Sequence, residues 1–123
     1  MMLSICAWRG DHYVSLHELL DLIGHFFAEC RWSVQVNEVA PEPGAELLED
    51  CDSSRLMLLH ELIRISAPNI QVIDGEITAI DNDGNASLLL RAVDSTSWDI
   101  ETANTEALAR VRESFGDAVE IPD

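Results

Sequence analysis

The chain contains no lysine. Its seven basic residues are all arginine, and they face 23 aspartates and glutamates, for a net charge of −16. A polyanion of this size repels DNA, RNA and anionic membranes by simple Coulomb forces and attracts basic proteins. Cysteine is scarce too. Cys6, Cys30 and Cys51 are an odd number at unrelated spacings, with no CxxC, which argues against a disulfide framework and for a reducing cytoplasm. No apolar run reaches the ~18 residues of a membrane span. The opening "MMLSICAWRG" lacks the basic and long apolar regions of a signal peptide. Glycine is sparse at six residues, and neither GxSxG nor GxxxxGK[ST] occurs, so no nucleophile elbow or phosphate loop is expected.

What is present suits one compact domain covering residues 1–123: 47% of the chain is hydrophobic, ample for a single core. The acidic surplus is uneven. Net charge is −3 over residues 1–40, −4 over 41–66 and −9 over 67–123. General acidity of this kind also serves solubility, so the charge alone does not specify a site.

The pattern along the chain predicts an α+β fold: an antiparallel β-meander sheet with three or so helices packed mainly on one face. Leu3–Trp8 reads as a strand, and "RGDH" as a turn. Ser15 and Glu18 form a capping-box signature, with Val14 and Leu19 as its hydrophobic staple, and helical spacing then runs from Leu16 to Cys30. "RWSVQVNEVA" alternates as a half-buried strand ended by "PEPG". "AELLEDCDSSRLMLLHELIRIS" reads as helix with a break near Asp52-Ser53-Ser54, where a hydroxyl would cap the second piece, and Pro68 stops it. From Asn69 the period becomes two. "NIQVID", "EITAIDN", "ASLLLRAVD" and "SWDIET" are strands separated by turns at Gly75, Asn82-Asp83-Gly84 and Ser95-Thr96-Ser97. Asn104 caps a last helix with Ala107, Leu108, Val111 and Phe115 as its apolar stripe, and "AVEIPD" supplies an edge strand.

Metal chemistry is poorly supported. Asp81-Asn82-Asp83-Gly84-Asn85 looks like part of a calcium loop, but with Gly84 at the sixth position the first is Ala79 and the twelfth Leu90, both apolar. A hairpin turn explains the same letters. Two His-Glu-Leu tripeptides start at His17 and His60, yet the positions four residues on hold Asp21 and Arg64 rather than a second imidazole. The three cysteines sit in apolar or helical runs, where Cys acts as a small hydrophobe. No cofactor or metal is expected, and a binding protein is favoured over an enzyme. An enzyme or small-molecule binder would need a deep pocket lined by His17, His25 or His60 with carboxylates.

"SWDIET" carries more content. Period two sets Trp98, Ile100 and Thr102 on one face and Asp99 and Glu101 on the other. Neighbouring acids on one sheet face repel unless water or cations separate them. A solvated outer face is the plain account; a carboxylate patch for the Arg or Lys of a partner is the functional one. Asp81, Asp83 and Asp94 at nearby strand ends, and Glu106 opening the last helix, would extend that patch. Trp98 would anchor it if it faced out, although its parity with Ile100 places it with the core.

The segments "VIDGEITAIDNDGN" and "RAVDSTSWDIETANTEALARVRESFG" resemble the C-terminal parts of small acidic bacterial immunity proteins of polymorphic toxin and contact-dependent growth inhibition systems. The likeness covers about the last fifty residues and lies in pattern: a hairpin, a strand with a Trp and acids, then a capped helix. It implies a cytoplasmic inhibitor that binds one cognate toxin domain, often a basic nuclease, and covers its active site. A DNA-mimic inhibitor of a DNA-binding protein is a close relative of this reading. A second class, the acidic type III secretion chaperones, shares size, charge and α+β content, but this chain opens on a strand where such chaperones present a helix. Monomer and homodimer both remain open at this level.

Overall fold

Alternating sequence builds most of the molecule. The structure is a computed structural model and describes residues 2–121. Its strands are β1 (Met2–Cys6), β2 (Trp8–Arg9), β3 (His12–Tyr13), β4 (Arg31–Val39), β5 (Val72–Ile80), β6 (Ala86–Val93), β7 (Ser97–Thr102) and β8 (Val119–Ile121). Its helices are α1 (Leu16–Ile23), α2 (Glu46–Glu49), α3 (Leu59–Ile65) and α4 (Thr105–Ser114). Six strands form one antiparallel sheet in the order β4-β5-β6-β7-β1-β8, while β2 and β3 make a small separate hairpin. The fold is α+β, as the change of period at Asn69 implies.

Period two sorts the sheet into a core face and an open face. Trp32, Val34, Ile77, Ala79, Leu88, Leu90, Trp98, Ile100, Leu3 and Ile5 lie on the core face and are buried. Leu16, Leu19, Leu20 and Ile23 of α1, and Ala107, Leu108 and Val111 of α4 with Phe115 just beyond it, join them in one cluster. Each Val, Leu, Ile or Phe among them contributes about 1.5–3 kcal/mol by leaving water. Trp98 belongs to this core. Its indole Nε1 donates to the Val14 carbonyl at 2.8 Å, which ties β7 to the lead-in of α1. The surface-anchor role for Trp98 is therefore overturned: parity with Ile100 decides its face.

Two of the three expected caps form. Ser15 Oγ accepts from Glu18 N at 3.1 Å, and Asn104 Oδ1 accepts from Ala107 N at 3.0 Å. Glu18's carboxylate reaches back to His12 Nε2 at 2.6 Å rather than to the Ser15 amide, so it joins α1 to β3 and only the serine half of the expected capping box forms. The helix does not run on to Cys30, however. It tightens into a 3-10 turn over Gly24–Phe27, where a Cβ on Gly24 would stand 3.3 Å from Leu59 of α3.

Two further expectations change. Gly75 is not a turn. It sits inside β5, opposite an irregularity of β4 between Val36 and Glu38, and a Cβ there would meet Gln35 O at 2.9 Å and Val36 Cα at 3.0 Å. Close backbone approach, rather than chain reversal, is what requires glycine. The break between α2 and α3 is also longer than three residues, and no hydroxyl caps α3. Asp52 Oδ1 accepts from both the amide and hydroxyl of Ser54, which holds its carboxyl below the ordinary range. Met57 then exchanges two backbone hydrogen bonds with Trp32 at 2.8 and 2.9 Å, and Leu58 N finds Glu61 Oε1 at 3.3 Å at the start of α3. Pairing with β4 outcompetes helix propensity at that point.

Near the N-terminus, Asp117 organises the far edge of the sheet. Its carboxylate accepts from Cys6 N and pairs with Arg9, whose guanidinium lies 5.2 Å over the Phe115 ring. The Cys6 amide first, and Arg9 as well, hold the Asp117 carboxyl below its ordinary value. Tyr13 packs edge-on against Trp8 and donates to the Val72 carbonyl; burial pushes its phenol up to about 12.

Candidate functional site

The β5–β6 turn is built by one carboxylate. Asp81 Oδ1 accepts from Asp83 N and Asn85 N, both at 2.9 Å, while Gly84 takes φ +85° and Asp81 N pairs with Asn85 O. This self-contained turn matches the hairpin expected from "DNDGN". Among the described residues no group of three or more His, Cys, Asp or Glu side chains is placed to hold a metal ion.

This hairpin forms one wall of an open cleft of about 1000 Å³. A second wall is the turn leading from α1 into β4, which brings His25 and Glu29. A third is the β7–α4 connection, which brings Glu101 and Asn104. Glu29, Asp81 and Glu101 thus share a cleft, although they are far apart in sequence. No arginine is among the described residues lining it. The His25 ring is tilted against Phe26 at 4.2 Å between centroids.

The acids singled out from sequence divide into separate places. Asp81 and Glu101 line the cleft, and Asp83 is exposed at the adjoining hairpin tip. Asp94 lies at the other end of β6, in the β6–β7 turn. A strand of eight residues spans roughly 26 Å at about 3.3 Å per residue, so a single patch joining Asp81, Asp83 and Asp94 does not form. Successive hairpins of a meander alternate ends, and that geometry is what separates them. Asp99 lies on the open face as its parity implies, but Arg91 is directly opposite it on β6. Arg91 in turn pairs with Glu76 of β5 at 3.1 Å, so the strand-centre acids flank a cation. Glu101 sits one row away, opposite Leu89 and Met2. Glu106 is exposed in the first turn of α4, where a negative charge favours the helix dipole.

Glu29 is absent from the expected patch because nothing in the local pattern marks it, while His25, singled out only as a residue that a small-molecule pocket would use beside carboxylates, lines this cleft with them. Their positions follow from the shortening of α1 and the reversal into β4. No family model, curated protein or solved structure matches the chain. No helix among the described residues is long and apolar enough to cross a membrane.

Proposed function

We propose that this protein is an immunity-type inhibitor, acting in the cytoplasm, that binds a cognate toxin domain and neutralises it by stoichiometric occlusion. The observation that carries the reading is the cleft at the hairpin end of the sheet. It presents Glu29, Asp81 and Glu101 with no lining arginine, in a chain of net charge −16. A largely apolar concavity that carries three carboxylates and no lining arginine, in a strongly negative field, suits an Arg or Lys side chain of a basic partner. A basic nuclease domain has such side chains around its phosphate-binding cleft, where carboxylates would take the place of phosphates. The wider field would steer association, with rates reaching about 10⁸ M⁻¹s⁻¹ at low salt. Glu29 and Glu101 are exposed, and half-buried Asp81 commits one oxygen to its own turn, so an open cleft of this kind needs no change of fold on binding.

The test pairs this protein with any toxin domain found encoded next to its gene. Mixing the two proteins should give a 1:1 complex in size-exclusion chromatography, and co-expression should protect cells. Glu29→Lys and Glu101→Lys should each weaken the complex by roughly tenfold or more, while Asp94→Asn, at the opposite end of β6, should leave it unchanged. Absence of both complex and protection overturns the reading.

A further inference from the structure

Helix α2 and the segment after it each present a leucine to solvent, and the core explains why. Leu48 of α2 is fully buried, so its neighbour Leu47 points away and is 54% exposed. Met57 is pinned to Trp32 of β4 by two backbone hydrogen bonds, which turns the adjacent Leu56 outward at 44% exposure. Between them the chain turns on Asp52, whose Oδ1 accepts from the amide and hydroxyl of Ser54. The result is a groove of about 310 Å³ with Met57 and Ile65 among its lining and Leu47 and Leu56 at its mouth. Its rim carries four acids, Glu46, Asp50, Asp52 and Glu61, against two arginines, Arg55 and Arg64. It shares no lining residue with the acidic cleft.

We infer that this groove docks an amphipathic helical segment of a partner protein, with two or three aliphatic side chains along one face and Arg or Lys beside them. The volume is at the low end for ligand pockets of ~300–1000 Å³, and its mouth is aliphatic, which fits side-chain anchors. The rim decides the sign of the flanking charges: acids outnumber arginines, and the surrounding field is −16. A second copy of this chain is disfavoured, because it would bring another net charge of −16 with the same acid-rich rim. An anionic lipid surface is disfavoured for the same reason. The groove is a second surface, independent of whether the cleft binds a toxin.

The probe is a synthetic peptide of about 18 residues, with Leu at helical i, i+3/i+4, i+7 spacing and Lys at the remaining exposed positions. Titrated into the ¹⁵N-labelled full chain, it should shift amides clustered at Leu47, Cys51, Arg55–Met57 and Ile65. Leu47→Ser and Leu56→Ser replace exposed side chains and should keep the fold. Each should weaken binding by roughly tenfold. A peptide of the same composition with its leucines scattered should bind at least about tenfold more weakly. Equal affinity of the two peptides, shifts centred on Glu29, Asp81 and Glu101, or no shifts at all would each overturn the inference. So would a dimer, found by sedimentation, that Leu56→Ser dissolves, since the occupant would then be a second copy. Failure of the toxin complex with an intact peptide response would sink the cleft reading alone.

Discussion

At the scale of single residues, burial separates groups that hold the fold from groups available to a partner. Trp98 is the sharpest case. Its ring is in the core and its indole N–H is committed to the Val14 carbonyl. Trp98→Phe removes that donor and leaves part of the ring volume empty, which should cost about 2–4 kcal/mol in urea unfolding. A surface anchor would behave oppositely, losing partner affinity with stability intact. Asp117 supplies a pH-dependent counterpart. Its carboxyl is held below the ordinary 3.8 by the Cys6 amide and then by Arg9. A lowered folded-state value means the stabilisation is complete above the unfolded pKa and fades as the pH falls through the folded one. Asp117→Asn should therefore lower stability by roughly 0.5–1 kcal/mol at pH near 7, in the range of partly exposed ion pairs. The gap between variant and parent should close as unfolding is repeated below about pH 4. A gap that persists unchanged in acid would show that packing, and not charge, is what the side chain contributes.

At the scale of elements, α1, α4 and the strands β4, β6 and β7 are legible in sequence because each has a local rule: a cap, a stripe or a strict alternation. Gly75 was not, because its requirement comes from a different strand. As a turn residue it would be needed for a positive φ, which Gly75 does not have. Inside β5, a Cβ would meet backbone atoms of β4 at 2.9 and 3.0 Å, and backbone cannot rotate aside. Gly75→Ala should cost about 1–3 kcal/mol, measurable by thermal or urea denaturation. The β6–β7 hairpin shows the same limit at finer scale. Thr96 N bonds to Val93 O, with Asp94 at φ 47° and Ser95 at φ 61°; two successive positive values suit the right-handed twist of the hairpin. The reversal is thus one residue earlier than the Ser-Thr-Ser run suggests. Asp94→Asn places a side chain that tolerates the left-handed region better and should raise stability slightly, by about 0.3–0.5 kcal/mol. The candidate cleft was only half legible. Asp81 and Glu101 stand on elements with clear patterns, whereas Glu29 arrives through the 3-10 turn that ends α1. The separation of Asp94 follows from meander topology and not from any residue's identity.

At the scale of the whole molecule, the charge acts in two directions that one salt titration can separate. The Debye length is ~30 Å at about 0.01 M salt, longer than the roughly 26 Å of an eight-residue strand such as β6. Every acid then feels most of the others, and a net charge of −16 opposes the compact state. Adding salt shortens the screening length to ~8 Å at physiological strength and relieves that repulsion. It also weakens local ion pairs, chiefly Arg9–Asp117 and Arg91–Glu76, but exposed pairs contribute about 0–1 kcal/mol each. Net repulsion should win, so the melting temperature should rise by several degrees between about 0.01 and about 0.5 M NaCl. Over the same range the association rate with a basic partner should fall by roughly tenfold or more, since steering depends on the same unscreened field. Dissociation, governed by close contacts rather than by the long-range field, should change far less. Calorimetry and stopped-flow mixing on one set of buffers read both quantities. A melting temperature that falls with salt would mean that the few arginines are placed well enough to outweigh the excess of acids, and that the field is spent on folding. An association rate indifferent to salt would remove charge steering from the proposed function even if the complex itself forms.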